Sequence, residues 1–264
     1  MEASLDISIL NLALGFLLMI IPIYVFHRYK TGLVNDTLLA TLRMTVQLFL
    51  VGIYLEYLFR WNNAWINLAW MILMIVVAAY TNMRRSRLRF RYFLIPVGLA
   101  LLVSLVVVDA WFLGLVIRLD YVFESQYFIP ITGMLLGNCM KTNVIALNTY
   151  FKGLRKDELA YRYYLANGAN RQEALAPHIR LALQESFNPN IAMMAVMGLI
   201  ALPGTMTGQI LGGSSPAVAI KYQIMLMITV FVSSMITVIL TIWLSDRFAF
   251  DQSDRLKEEI FRGA

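Results

Sequence analysis

The sequence predicts an all-α protein that crosses a membrane about seven times. Three observations carry that expectation. Hydrophobic residues fill 59% of the 264 positions. Charged residues fill only 14%, against roughly 25% in an ordinary soluble domain. The apolar residues also gather into seven runs, at approximately 6–26, 38–59, 64–80, 92–116, 128–151, 190–210 and 217–245. A hydrocarbon core about 30 Å thick calls for about 20 such residues per helix. One or two runs of this kind fit a buried soluble core; seven do not.

The first run follows "MEASLD", which lacks a basic stretch, and ends near Pro22 without a small-residue cleavage pattern, so it reads as a retained span and not a signal peptide. The third run is short and the seventh long, which predicts tilt or an overhanging end. No separate domain is expected at either end: residues 1–264 form one transmembrane domain, with a polar cytoplasmic segment at about 152–189 and a short charged tail at 246–264. That tail is expected to be helical or frayed. The single cysteine, Cys139, has no partner for an intrachain disulfide, and one thiol with two histidines does not make a structural zinc site. The sequence marks no metal-binding set.

The net charge of +6 is a matter of topology. Seventeen of the 22 basic residues fall in the loop after the first run, the "MRRSRLRFR" cluster, the 152–189 segment and the tail. Lys and Arg concentrate in cytoplasmic loops, which puts these segments and the C-terminus inside and the N-terminus outside. The arginine cluster is suited to anionic lipid headgroups. No nucleic-acid footprint is implied.

Within 152–189, "KDELAYRYYLANG" reads as a helix with Asp157 and Glu158 in its first turn and Glu158 paired to Arg162. Gly168 ends it. A second helix then starts at Asn170, with Glu173 three residues on in capping-box spacing. The pattern is helix, glycine turn, helix; it fits a coupling surface or a plain helical surface loop.

Polar side chains inside spans are costly and mark candidate function. Arg43 and Gln47 share a helix face in the second run, although Arg43 also has the option of snorkelling to the headgroups. In the fifth run Gly133, Gly137 and Lys141 form one stripe, and Met134 and Asn138 the next. In the sixth, Gly204, Gly208 and Gly212 follow Pro203, a stripe that suits close helix packing beside a kink. Fifteen methionines serve as adaptable packing or as soft-metal ligands, Met134 and Met206 among those beside the polar positions. No P-loop, H-E-x-x-H or G-x-S-x-G is present, so the chain is read as no enzyme in itself.

Four stretches, "RMTVQLFLVG", "IPITGMLLGNCM", "YLANGANRQEAL" and "LPGTMTGQILGG" followed by "SPAVAIKYQIM", resemble the permease of the iron-export ABC transporter family. This family includes the bacterial Fet permease and plant relatives linked to aluminium tolerance. The resemblance covers about 38–245. It implies a permease working as a homodimer with two copies of a separate ATPase, which would bind ATP and Mg; this chain would bind no cofactor. Iron export is one implied activity and movement of a nucleotide sugar another. The inner membrane of a bacterium is the implied location.

The family likeness also suggests a docking helix of the E-A-A, three residues, G kind. Gly168 takes the glycine's place, whereas Arg162, Tyr163 and Tyr164 stand where E-A-A would be and Ile179 falls one place beyond the isoleucine. The coupling set is therefore Tyr161, Tyr163, Tyr164, Leu165, Gly168, Asn170 and Glu173, with the aromatics as anchors. The substrate-path set is Arg43, Gln47, Met134, Asn138, Lys141 and Met206. An ion-coupled secondary transporter would instead place acidic residues deep in the spans. Here Glu56 and Asp109 lie towards span ends. A membrane-embedded enzyme or a scaffold fits the polar positions less well.

Overall fold

The computed structural model describes residues 7–262. The "MEASLD" opening, with the start of the first run, and the last two residues lie outside that range. α1 (Ile9–Phe16) and α2 (Ile20–Arg28) are joined by a 3₁₀ turn at Leu17–Met19 into one rod. α3 (Val34–Trp61), α4 (Ala64–Ser86) and α5 (Phe90–Asp109) follow, α5 running on through a π-helical stretch at Ala110–Val116. Then come α6 (Ser125–Lys156), α7 (Glu158–Ala166), α8 (Arg171–Val196), α9 (Gly204–Leu211) and α10 (Pro216–Ala249).

Among the described residues, five rods are long and apolar enough to cross a membrane: Ile9–Arg28, Val34–Trp61, Ala64–Ser86, Phe90–Val116 and Pro216–Ala249. The fifth predicted run lies in α6, which is 32 residues long, or about 48 Å at roughly 1.5 Å per residue. It is more polar because it sits at the centre, touching α3, α4, α5, α7, α8 and α10, so much of its surface meets protein. Thr142 and Asn143 are buried there beside Leu147 and Tyr150. The sixth predicted run is not one helix. α8 carries straight on from the polar segment to Val196, through Pro177 and Pro189, and stops in an extended residue at Met197. Gly198 takes φ +84° and Pro203 is extended before α9 begins. Proline lacks the N–H that would continue the ladder and drives the residue before it out of the helical region. The expected kink is a full break.

Hydrogen bonds give the directions. Asn67 Nδ2 donates to Ser125 Oγ (2.9 Å), Cys139 Sγ to Ser233 Oγ (3.4 Å), and Tyr150 Oη to Asp246 Oδ1 (2.9 Å). The near-constant sequence offset between the last two pairs shows α6 and α10 running parallel. α5 runs against them, since Ser104 Oγ meets Ser233 O while the Phe93 and Phe151 rings lie 5.0 Å apart. α8 also runs against α6, with Asn190 Nδ2 donating to Thr142 Oγ1 at 3.3 Å. The core thus sits between α4, α5, α6, α8 and α10. The apolar windows of Ile9–Arg28 and Val34–Trp61 contain no residue buried within the chain, although the C-terminal part of α3 joins the bundle, with Leu58 buried and the Tyr54 and Trp70 rings 4.5 Å apart.

The tail departs from the expectation. It folds back over the end of the bundle that carries most basic residues. Arg89 N donates to Ile260 O and Arg262 N to Arg87 O, both at 2.8 Å, and Ile260 and Leu88 are buried. The last carbonyls of α10, which have no partner within a helix, are taken up here. Lys257 N donates to Ala249 O (2.9 Å), Lys257 Nζ to Phe248 O (3.2 Å) and Arg171 Nη2 to Asp246 O (2.6 Å). Asp251 Oδ1 accepts from the backbone N–H of Ser253 and of Arg255, and those bonds hold its carboxyl below the ordinary range.

Candidate functional site

The break between α8 and α9 opens a cavity of about 600 Å³. Backbone freed from the helical ladder at membrane depth is tolerated where it is buried in protein or lines a cavity. Here Met197 and Ala201–Thr205 form one wall. α6 contributes Met134, Asn138 and Lys141, α8 contributes Asn190, Met193 and Met194, and α10 contributes Gln223, Met227 and Val230. The polar side chains are three amides, one hydroxyl and one amine. Thr205 Oγ1 donates to Gln223 Oε1, and Asn138 Nδ2 donates to Met134 O at 2.9 Å. No Asp or Glu lines the cavity.

Three of the six predicted path residues therefore meet. Arg43 and Gln47 do not join them; both are exposed on α3, away from the cavity. Met206 is half-buried one residue past the lining. Among the glycines expected to pack helices, a Cβ on Gly133 would lie 3.9 Å from Met74 Sδ on α4. Gly137, Gly204 and Gly208 face open space within this chain, while Pro203 and Gly204 sit in the break itself. Gly212 ends α9, where a Cβ would lie 3.2 Å from Gly208 O.

The polar hairpin is built as its residue types require. Gly168 has φ +90°; its N–H donates to Leu165 O and that of Ala169 to Tyr164 O, a Schellman ending for α7. Asn170 Oδ1 accepts from Glu173 N (2.9 Å) and Glu173 Oε2 from Asn170 N (2.8 Å), which completes the capping box. Arg162 and Glu158 form an ion pair. Asn170 and Glu173 are thus engaged in holding the turn. Tyr163 is 68% exposed and Tyr164 48%, with Leu159 beside them at 86%. Tyr161 differs: it is buried, its hydroxyl donating to Asp254 O at 3.0 Å, and it faces the tail instead of solvent. Burial, with Asp254 beside it, pushes its phenol up to about 12, which keeps the proton on that donor. Leu165 is half-buried against the core.

Sequence reasoning missed the cavity's Asn190 and Gln223, amides that sit among apolar residues in helices of otherwise different character. It also placed Asp109 near a span end. The carboxyl is buried, accepts from Thr132 Oγ1 at 2.8 Å, and leaves Oδ1 without a partner. Among the described residues, no group of three or more His, Cys, Asp or Glu side chains comes together as a metal site.

Comparison with known proteins agrees with this architecture. Residues 9–250 match the family described as "Uncharacterised protein family (UPF0014)". The "UPF0014 membrane protein STAR2" of Oryza sativa subsp. japonica is 32% identical, covering 88% of this chain and 80% of that protein. The "Probable iron export permease protein FetB" of Escherichia coli K12 is 27% identical over 93% of each chain. "Protein ALUMINUM SENSITIVE 3" of Arabidopsis thaliana is 29% identical, covering 94% of this chain and 90% of that protein. No solved structure matches. An all-helical fold with several apolar rods, matched along nearly its whole length, makes this chain a member of the UPF0014 family of membrane proteins.

Proposed function

We propose that the chain is the membrane-spanning permease subunit of an ATP-driven transporter that exports iron or another metal species. Two copies would work with two copies of a separate ATPase, which would hold ATP and Mg. The reading places the assembly in a bacterial inner membrane, with the basic end and C-terminus inside. The observation that carries it is the cavity at a helix break, walled by two helices, α8 and α10, that extend unbroken to the exposed α7–α8 hairpin. A partner pushing on Tyr163, Tyr164 and Leu159 would act on a rigid surface connected to the cavity walls. The similarity to a probable iron export permease supports the metal reading.

The lining constrains the form of the cargo. Lys141 is its only charged side chain, and a bare divalent cation finds no carboxylate there. Thioethers suit soft cations, yet the ammonium repels one. The cargo most compatible with this set is a chelated or anionic species, which also keeps open a nucleotide sugar or another anionic solute. Ion-coupled transport is the rival from another class, and Asp109 is the observation in its favour. Transport by Asn138→Leu and Lys141→Leu, each checked for normal assembly, tests the cavity. Loss of at least tenfold is expected. Wild-type rates in both would remove the cavity from the path.

A further inference from the structure

α8 and α10 both wall the cavity and meet beside it at the Phe187 and Phe231 rings, 5.3 Å apart, although few of their backbone positions come close. Something must make them move together if the cavity is to open at one end and close at the other. Both reach the same point at the basic end. Arg171 is the first residue of α8, directly after the Gly168 turn. Its Nη2 donates to Asp246 O in the last turn of α10 at 2.6 Å, and its Nη1 lies 3.3 Å from Asp254 Oδ1 in the tail. Its guanidinium carbon stands 4.2 Å from the centre of the Phe250 ring. Tyr161 of α7 donates to Asp254 O, and Tyr150 of α6 donates to Asp246 Oδ1. Arg171 itself thus ties α8 to α10 and the tail, and α6 and α7 join the same cluster through Asp246 and Asp254.

We propose that Arg171 is the positioning residue that joins the coupling hairpin to α10, so that displacement of α7 and α8 is delivered to both cavity walls. The proposal rests on the permease reading above. The chemistry favours arginine. A planar fork with fixed donor directions bonds a helix-end carbonyl and a carboxylate while stacking on an aromatic face, which a lysine ammonium does not reproduce. The ion pair is partly exposed and contributes little by itself. The carbonyl contact and the stacking set the geometry. Arg171 also meets an otherwise orphaned carbonyl at the negative end of α10, where a cation is favoured. Tyr163 and Tyr164 are free to receive a partner without touching this joint.

The experiment uses the full chain with its ATPase in proteoliposomes, measuring ATP hydrolysis and transport in the same preparation. Arg171→Ala should still co-purify with the ATPase and hydrolyse ATP within about twofold of wild type, while transport per ATP falls at least tenfold. Arg171→Lys should recover only part of the coupling. Asp254→Asn, which leaves the Asp246 carbonyl contact and the Phe250 stacking in place, should lose less than threefold and serves if Arg171→Ala does not fold. Unchanged transport per ATP in Arg171→Ala overturns the proposal. So does a parallel fall of hydrolysis and transport, which would mark a structural role. If the wild-type chain neither binds an ATPase nor shows ATP-dependent transport, the permease reading fails first and the proposal with it.

Discussion

Asn67 shows how a single amide fixes one end of the bundle. Its Nδ2 donates to Phe123 O (2.8 Å) and Ser125 Oγ, while Ser125 N and Oγ both donate to Asn62 Oδ1 at 2.9 Å. Three chain segments meet in that buried knot. Asn67→Leu fills similar space but strands its partners, at a cost of about 1–3 kcal/mol. A lowered midpoint of thermal unfolding in detergent is expected, and an unchanged one would contradict the knot. Gly168 acts through backbone alone, because a Cβ there meets nothing within 4 Å. At φ +90° a β-branched residue is strained, roughly 1–2 kcal/mol for leaving the glycine preference. Gly168→Val should therefore weaken ATPase co-purification, whereas Gly168→Asn, which tolerates that region better, should weaken it less. His178 gives a pH dependence. Burial lowers it below its ordinary 6.5, against an opposing pull from Asp157, so the fold prefers the neutral ring. Its contribution to stability is complete above 6.5 and is lost as pH falls. The unfolding midpoint of His178→Gln should depend less on pH below 6.5 than that of wild type.

At the scale of elements, α7, its turn and the start of α8 were legible in the sequence because their determinants are local: a glycine, and an asparagine three residues before a glutamate. The break after Val196 was half legible. Pro203 announced a disruption, but nothing nearby told that Gly198 would take φ +84° and turn a kink into a gap. α6 read as apolar, yet its neighbours allow it to be more polar than α4, α5 and α10. The tail was illegible for a plain reason. What holds it lies far away in sequence: Arg87 and Arg89 across the basic end, Arg155 paired with Glu258 at 2.8 Å, and Tyr92 donating to Glu259 at 2.9 Å. Arg171 was counted as a topology charge for the same reason, since its partners stand 75 and 83 residues on. Deleting the chain after Phe250 uncovers Leu88 and frees the Ala249 and Phe248 carbonyls. The truncated protein should still insert, but protease cleavage at the Gly168 turn should rise several-fold. Equal cleavage would mean that the tail does not brace the hairpin.

The whole molecule joins a basic, stapled end to a cavity bounded by a broken helix, with the apolar windows of its two N-terminal rods left uncovered by the chain. Its direction in the membrane is testable through Leu159, which is 86% exposed at the hairpin. In a background without Cys139, Leu159→Cys should resist an impermeant thiol reagent in intact cells and react after permeabilisation. The measurement that bears most directly on the central claim is ATP-dependent transport in proteoliposomes holding this chain with its ATPase. Chelated iron should move only when ATP, Mg and both proteins are present, and a hydrolysis-dead ATPase should abolish the movement. The same flux from this chain alone, without ATPase or ATP, would contradict the account.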